Sequence, residues 1–151
     1  MGKKLEITVR VGTLEEAFTV NTAVKEMGAI DSPAYFERRI KSQPHLVLVA
    51  SAAGQLIGYL VGYKPPMSGS FYIGWTGVNP AVRKKGVLTA LTNYLEPWAW
   101  SSGYDGITVL THNRHRAMLA YLVKAGYNFT GIETAGRDIA DFALYFKKLQ
   151  P

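Results

Sequence analysis

Apolar and polar residues alternate along the start of the chain. Every second residue from Lys4 to Val11 is apolar, and this period of two predicts a half-buried β-strand. Thr13 lies three residues before Glu16, which is the spacing of a capping box, and apolar residues then recur at helical intervals. A helix is therefore predicted from Thr13 to about Met27.

The rest of the chain alternates between short strand patterns and longer helical patterns. Ser32 followed by Pro33 has the form of an N-cap and a first helical residue, so a second helix is predicted to about Ser42. The later predicted elements are strands at His45–Ala52, Gln55–Tyr63 and Ser70–Val78, a helix at Gly86–Ser101 that Pro97 should kink, a strand at Ile107–Thr111, a helix at Arg114–Ala125, and strands at Tyr127–Thr134 and Ile139–Lys148.

The order of these elements predicts an α/β domain. The order strand, helix, strand from Phe71 to Thr111 favours parallel pairing through a right-handed crossover, whereas the neighbouring hairpins favour antiparallel pairing. We therefore expect a mixed, mostly antiparallel, twisted sheet with helices on both faces. Because no repeat or long linker divides the chain, residues 1–151 are predicted to form a single domain.

Composition narrows the class of protein. Hydrophobic residues make up 48% of the chain and charged residues 19%, which is typical of globular domains. The absence of cysteine excludes disulfides, thiolate metal sites and a cysteine nucleophile. No signal sequence or membrane-spanning apolar run is present, so we expect a cytoplasmic protein with no membrane partner. A net charge of +6 favours polyanionic partners.

Much of the positive charge lies in two clusters directly before predicted helices. Arg83-Lys84-Lys85 follows the strand that ends at Val78 and precedes Gly86, and Arg114-His115-Arg116 precedes the later helix. The free N–H groups and the dipole of a helix N-terminus bind phosphate oxygens, and glycine lets the backbone approach closely. The first cluster therefore predicts an anion-binding turn.

At this turn the sequence resembles the GCN5-related N-acetyltransferase (GNAT) family, whose pyrophosphate-binding motif is Gln/Arg-x-x-Gly-x-Gly/Ala after a strand. The residues that fit the motif are Arg83, Lys84, Lys85, Gly86 and Val87. Leu88 stands where the family usually has Gly or Ala, although its backbone N–H is retained.

The segment from Asn113 to Tyr127 is also similar to this family, whose members often have a helix that starts with Asn and ends in Lys-x-Gly-Phe/Tyr. The matching residues are Met118, Lys124, Gly126 and Tyr127. Counted back from Gly126, His115 occupies the place of the Asn, and Asn113 lies two residues earlier. The resemblance implies that either Asn113 or His115 faces the pantetheine arm of the cofactor.

The resemblance implies an N-acetyltransferase that uses acetyl-CoA. The cofactor is expected between two parallel strands that splay apart, with its pantetheine amides paired to the backbone at Gly77 and Val78 and its pyrophosphate at residues 83–88. An amine acceptor, either a small molecule or a protein, would attack the thioester directly. Asp31 and Glu37 are expected on the acceptor side.

The resemblance leaves two proton-transfer roles open. Family members often carry the proton donor to the thiolate as a Tyr four residues before the Gly of the second motif, where this chain has Leu122. The adjacent Tyr121 is the catalytic candidate, and a packing role is its alternative. Because no carboxylate occurs from Phe71 to Val78, the base is either reached through water or is a distant residue such as Glu133.

Several other interpretations accompany this one. Four aromatic residues either line an acceptor pocket or pack in the core, which is the favoured interpretation: Tyr59, Tyr63, Tyr72 and Trp75. The three histidines lack metal-ligand spacing, so no metal site is predicted. A non-catalytic acyl-CoA-binding domain is the first rival. A basic nucleic-acid-binding domain ranks last because its usual motifs are absent. The sequence leaves the oligomeric state open, a homodimer included.

Overall fold

This computed structural model describes residues 4–24 and 27–151, which form one seven-stranded sheet flanked by helices. The strands are β1 (Thr8–Val11), β2 (His45–Ala52), β3 (Gln55–Tyr63), β4 (Phe71–Val78), β5 (Gly106–His112), β6 (Asn128–Glu133) and β7 (Ala143–Leu149), and the helices are α1 (Leu14–Asn21), α2 (Pro33–Ile40), α3 (Val87–Ser101) and α4 (Arg116–Lys124). The spatial order of the strands is β1-β2-β3-β4-β5-β7-β6. Among the described residues, only β4 and β5 pair in parallel, which confirms the predicted mixed sheet.

Local sequence signals set several of these boundaries as predicted. Thr13 Oγ1 accepts a hydrogen bond from the Glu16 N–H at 3.1 Å, and the Glu16 carboxylate accepts one from the Thr13 N–H at 3.0 Å, which completes the capping box. Ala53 and Gly54 have φ values of 51° and 78°, which match the twist of a two-residue hairpin turn between β2 and β3. Gly103 follows the end of α3 with a φ of 86°.

The first strand is shorter than predicted. It begins at Thr8, whose partner in β2 is Ser51, and not at Lys4. β2 ends one residue further on, at Ala52, which is opposite position 7, so residues 4–6 extend past the end of their partner strand. The apolar alternation before Thr8 therefore marks packing against the core and not strand pairing.

The first helix also ends early, at Asn21 and not near Met27. The Asn21 side chain accepts a hydrogen bond from Tyr59 Oη at 2.8 Å and donates one to the Met27 carbonyl at 3.2 Å. These contacts tie the chain into a turn after Asn21 instead of a further helical turn. Lys25 and Glu26, which the sequence placed in the helix, lie outside the described residues.

The last strand starts later than predicted. Ile139–Asp141 form a 3-10 turn, and β7 begins at Ala143. The Asn113 side-chain amide donates to the Ile139 carbonyl at 2.8 Å, and the Arg114 N–H donates to the next carbonyl of the turn at 2.9 Å. These partners lie 26 residues away in sequence, so the local pattern could not show them.

Two apolar layers cover the two faces of the sheet, which confirms the prediction of helices on both sides. One layer packs α3 and α4 on the sheet through Leu91, Leu95 and Leu122. The other packs α1 and α2 on the opposite face through Ala17, Val20, Phe36 and Ile40. Within the described part of the chain, no helix has both the length and the apolar character needed to cross a membrane.

Candidate active site

β4 and β5 lie side by side for three residues and then separate. The paired residues are Phe71 with Ile107, Tyr72 with Thr108 and Ile73 with Val109. At the same level the register with β3 shifts, so that Gly74 is an extra residue in β4. A β-bulge bends its strand, which explains why β4 leaves β5 here. We call the opening between residues 74–78 of β4 and 110–112 of β5 the splay.

The backbone of Val78 faces the splay. The Asn79 N–H donates to the Ile57 carbonyl in β3 at 2.8 Å, and hydrogen-bonded pairs alternate with non-bonded pairs along antiparallel strands. Gly77 therefore turns its backbone groups toward β3, and Val78 turns its groups away from β3. In agreement, the Val78 carbonyl accepts a hydrogen bond from Arg83 Nε at 3.4 Å. Of the two expected backbone contacts, Val78 is directed to the splay and Gly77 is not.

Two glycines allow close packing around the splay. A Cβ atom at Gly77 would lie 2.8 Å from a ring carbon of Tyr59, so Gly77 makes room for the core on the α1 side of the sheet. A Cβ atom at Gly58 would lie 2.5 Å from Val87 Cγ1. The start of α3 can therefore lie against β3 only because Gly58 has no side chain.

The segment between β4 and α3 has the backbone of an anion-binding turn. Lys84 and Gly86 have φ values of 63° and 87°, and Gly86 is the N-cap of α3. The first helical hydrogen bond runs from the Ala90 N–H to the Gly86 carbonyl at 2.9 Å, so the N–H groups of residues 87–89 have no acceptor within the helix. No side chain caps them, and no acidic residue lies in the first turn.

The side chains of this turn divide into two groups. Arg83, Lys84 and Lys85 are exposed. Val87 is buried and Leu88 is half-buried, so a ligand at this turn would meet the backbone N–H groups of these two residues. Leu88 stands where the family has a small residue, and the three cationic side chains nevertheless remain exposed.

The second basic cluster lies at the same edge of the sheet. Because β4 and β5 are parallel, α3 and α4 both start at the edge where these strands end. Arg114 forms an ion pair with Asp141, and Asn113 binds the 3-10 turn before β7, so both side chains hold that turn in place. His115 is the N-cap of α4, and Arg116 is exposed. Since Asn113 and Arg114 are engaged with that turn, His115 and Arg116 are the residues of this segment that best fit the predicted contact with the cofactor.

Tyr121 reaches from α4 to α3. Its Oη atom lies 2.6 Å from Oγ1 of Thr92, whose side chain is buried. Leu122, at the position where the resemblance implies a Tyr, is only 2% exposed and belongs to the core. The Tyr121 hydroxyl thus lies between the two helices that follow the splayed strands. Its role as a proton donor stays a prediction.

The face of the sheet opposite α3 carries a row of aromatic side chains. Tyr59 is fully buried, as the core interpretation predicted, whereas Tyr63, Tyr72 and Trp75 are half-buried. The Trp75 ring stacks on Tyr63 with centroids 6.0 Å apart, and Tyr63 meets Tyr72 edge to face at 5.5 Å. Burial, together with Tyr63 and Tyr145, raises the pKa of Tyr72 to about 12. The phenol of Tyr72 therefore stays neutral near pH 7, and the three half-buried rings form a partly exposed wall.

The acidic residues named from the sequence lie at the surface. Asp31 Oδ1 is 3.9 Å from Arg38 Nη2, and Glu37 is exposed on α2. Neither side chain has a contact that ties it to the splay. Glu133 accepts a hydrogen bond from Tyr145 Oη at 3.3 Å, and its carboxylate lies 3.7 Å from an Arg137 nitrogen.

A cleft that the sequence did not predict lies at the end of β5. Its volume is about 410 Å³, and its lining residues are His112, Arg114, His115, Gly136, Arg137, Asp138 and Asp141. His112 is the last residue of β5, and burial is the first cause of a lowered pKa of its imidazole. The sequence held only one signal for this cleft, a histidine at the end of a strand. The other wall is formed by residues 136–141, which only the fold brings next to His112.

The splay and the turn after it offer groups that can bind an extended, phosphorylated ligand. The turn offers three uncapped N–H groups and exposed cationic side chains for phosphate oxygens, and Val78 offers backbone groups to an amide. Within residues 4–24 and 27–151, no group of three or more His, Asp or Glu side chains is close enough to hold a metal ion.

The sequence is similar to a family of acetyltransferases and to two bacterial acetyltransferases. The model of the acetyltransferase (GNAT) family matches residues 14–127. An acetyltransferase from Pectobacterium atrosepticum is 28% identical over 105 residues, which cover 70% of this chain and 73% of the relative. An acetyltransferase from Sodalis glossinidius is 30% identical over 91 residues, 60% of this chain and 63% of the relative.

Solved structures share the fold. A GNAT-family acetyltransferase from Desulfovibrio desulfuricans has a TM-score of 0.79 at 14% identity, covering 97% of this chain and 100% of its own. The ribosomal-protein-S18-alanine N-acetyltransferase from Escherichia coli has a TM-score of 0.75 at 16% identity, covering 94% and 92%. A streptothricin acetyltransferase from Bacillus anthracis, in complex with acetyl coenzyme A, has a TM-score of 0.66 at 23% identity, covering 76% and 67%.

The site lies in a mixed sheet that forks at a bulge, and a basic turn and an uncapped helix follow the fork. The chain belongs to the GNAT family of acetyltransferases, since the family model spans most of it.

Proposed function

We propose that this protein moves an acetyl group from acetyl-CoA to an amine by direct transfer. The observation that carries the proposal is the splay, which opens at Gly74 and leads to the turn before α3. The family membership and the acetyl coenzyme A complex of the Bacillus anthracis structure support acetyl-CoA as the donor.

The donor would be held by groups on both sides of the splay. Val78 would pair with a pantetheine amide through its backbone. The N–H groups of residues 87–89, with Arg83, Lys84 and Lys85, would hold the pyrophosphate. His115 and Arg116 start the neighbouring helix at the same edge, where Arg116 would add positive charge around the phosphates.

The acceptor would be a primary amine that approaches from the aromatic face of the sheet. α3 and α4 cover the other face, whereas Tyr63, Tyr72 and Trp75 leave this face partly open. The Escherichia coli neighbour is named for an alanine of a ribosomal protein and the Bacillus anthracis neighbour for streptothricin, so the fold accommodates acceptors of different sizes. Tyr121 would supply a proton to the departing thiolate.

Thermal unfolding in the presence of acetyl-CoA tests the donor site. A ligand that binds only the folded state stabilises it by about 2.7 kcal/mol at a concentration 100 times its Kd. The native protein should show a saturable rise in Tm. A Gly86→Glu variant should lose this rise, because a carboxylate at the N-cap of α3 would repel the pyrophosphate.

Gly103→Glu is the matched control. Gly103 has a φ of 86°, close to the 87° of Gly86, and an added Cβ would meet no atom within 4 Å at either position. Both variants therefore carry the same backbone strain and the same charge, but Gly103 lies at the far end of α3. Equal loss of the acetyl-CoA effect in both variants, or no effect in the native protein at millimolar donor, would contradict the proposal.

A further inference from the structure

His112 lies on the strand that forms one wall of the splay. β5 pairs with β4 as far as Val109, so His112 is three residues beyond the fork. Val109 and Thr111 are buried under α3 and α4. Because successive side chains of a strand alternate between faces, His112 points to the opposite face, from which the acceptor would approach.

The imidazole of His112 is open to a ligand. Among the described residues, neither ring nitrogen of His112 makes a hydrogen bond, and the nearest ring contact is the edge of His115, with centroids 5.9 Å apart. The ring lines the cleft of about 410 Å³ at the end of β5. The imidazole thus borders a space large enough for a small amine or a water molecule.

The groups around His112 keep its ring neutral. Burial is the main cause of the lowered pKa, and His115, Arg137 and Arg114 lower it further, while Asp141 acts in the opposite direction. These groups come from the β5–α4 junction and from the connection between β6 and β7. The imidazole is therefore unprotonated near pH 7, which is the form that can accept a proton.

The other candidate bases are less suited to this task. β4 carries no carboxylate from Phe71 to Val78. Glu133 already accepts the Tyr145 hydroxyl at 3.3 Å and lies 3.7 Å from the Arg137 guanidinium, so its negative charge is partly balanced. Its side chain is 57% exposed on β6, two strands away from the splay.

We propose that His112 is the proton acceptor for the attacking amine, reached directly or through one water molecule. This assignment rests on the proposed function and names a residue for its missing base. The ammonium form of the acceptor gives one proton to His112, and the neutral nitrogen attacks the thioester carbonyl. The C–N bond forms, the C–S bond breaks, and the sulfur leaves with the electron pair. Tyr121 gives a proton to the thiolate, the second proton lost by nitrogen replaces it on the phenol, and His112 returns its proton to solvent.

The test is the pH dependence of kcat/KM for release of the CoA thiol, followed from pH 5 to 9. The acceptors are spermidine, a peptide with an N-terminal alanine, and water itself, whose attack is hydrolysis of acetyl-CoA. His112→Gln should lower kcat/KM at pH 7 by about 10²-fold, the lower limit for loss of a general base. It should also remove the acidic limb of the profile, while the thermal shift with acetyl-CoA stays unchanged.

Three further variants make the test specific. His115→Gln removes a neighbour that lowers the pKa of His112, so the acidic limb should move to higher pH while it remains present. His45→Gln changes an exposed histidine at the start of β2 and should leave the profile unaltered. Glu133→Gln should keep the limb. Loss of the limb in Glu133→Gln with its retention in His112→Gln would overturn the assignment.

The result for donor binding separates the two proposals. If the native protein binds acetyl-CoA but releases no thiol to any amine or to water at any pH, the assignment of His112 is wrong and the donor site stands. If acetyl-CoA produces no thermal shift at all, the proposed function itself fails. A His112→Gln variant with native kcat/KM and an intact limb would also overturn the assignment.

Discussion

The hydroxyl groups of Thr92 and Tyr121 share one short contact and compete for partners. Thr92 Oγ1 lies 3.1 Å from the carbonyls of both Leu88 and Thr89, as well as 2.6 Å from Tyr121 Oη. When Thr92 donates its single proton to a helix carbonyl, Tyr121 must be the donor in the shared contact. When Thr92 donates to Tyr121 instead, the phenol proton is free to move to a leaving thiolate.

A pair of substitutions separates proton donation from packing at this contact. Tyr121→Phe removes the phenol, so kcat should fall by about 10²-fold at constant KM for the amine if Tyr121 protonates the thiolate. Thr92→Val removes the same hydrogen bond but keeps the phenol, so it should lower the free energy of unfolding by about 1 kcal/mol and leave kcat within a few-fold. Steady-state kinetics and urea unfolding measure the two effects. Equal kcat for both variants would assign Tyr121 to packing.

Residue-level sequence reasoning located the turn before α3 better than it located the candidate proton-transfer groups. This turn, the proposed phosphate site, is local, since Arg83 to Leu88 are consecutive and α3 starts directly after Gly86. The cleft at His112 is not local, because Arg137 and Asp141, 25 and 29 residues further along the chain, complete it. Asn113 differs too, since its side chain binds the Ile139 carbonyl. No local pattern contains such contacts.

At the scale of elements, the position of α3 depends on one glycine in β3. An added Cβ at Gly58 would lie 2.5 Å from Val87 Cγ1, far below a normal contact distance. Val87 is the first residue of α3 and is 2% exposed. Any side chain at position 58 therefore has to displace the start of the helix that carries the proposed phosphate site.

Gly58→Ala should lower the free energy of unfolding by about 1–3 kcal/mol, the usual cost of overpacking a core. Val87→Ala alone also destabilises by leaving a cavity. The double variant should lose less than the sum of the two, because the smaller side chain makes room for the new methyl group. Urea unfolding of all four proteins gives the coupling energy.

Gly131→Ala in β6 is the control for the loss of glycine itself, since an added Cβ there would meet no atom within 4 Å. This variant should change stability by less than about 0.5 kcal/mol. Additive effects of Gly58→Ala and Val87→Ala would show that α3 does not rest on β3 through this contact.

Most elements follow from local signals, and the exceptions have nonlocal causes. The hairpin at Ala53-Gly54 and the capping box of α1 were predicted because turn and cap chemistry act within a few residues. The early end of α1 was not, since it depends on a hydrogen bond between Asn21 and Tyr59, 38 residues apart. The periodicity of apolar residues predicted which face of each helix or strand is buried. Hydrogen bonds to distant residues decide where some of these elements end.

At the scale of the whole molecule, the parallel pair of strands gathers positive charge at one edge of the sheet. The turns before α3 and α4 both follow strands that run in the same direction, so Arg83, Lys84, Lys85 and Arg116 lie at that edge. The net charge of +6 is therefore not spread evenly, since four of its cations lie at this one edge. A polyanionic donor should be attracted to this edge at low salt and less so when salt screens the field.

The salt dependence of acetyl-CoA affinity tests this distribution. A Lys84→Ala/Lys85→Ala variant and an Arg38→Ala/Arg39→Ala variant both lower the net charge from +6 to +4 by removing two cations. The first pair lies in the turn before α3, and the second lies in α2 near Asp31. Since screening acts within about 10 Å at 0.1 M salt, only charges close to the bound phosphates should matter.

Calorimetric titration at 20, 100 and 300 mM salt should show acetyl-CoA affinity falling several-fold in the native protein as the Debye length shrinks from about 20 Å toward 5 Å. The Lys84/Lys85 variant should bind more weakly at low salt and show a flatter dependence. The Arg38/Arg39 variant should keep the native dependence despite its equal net charge. If the two variants behave alike, the attraction comes from the total charge of the protein, and the edge beside the splay has no special role in capturing the donor.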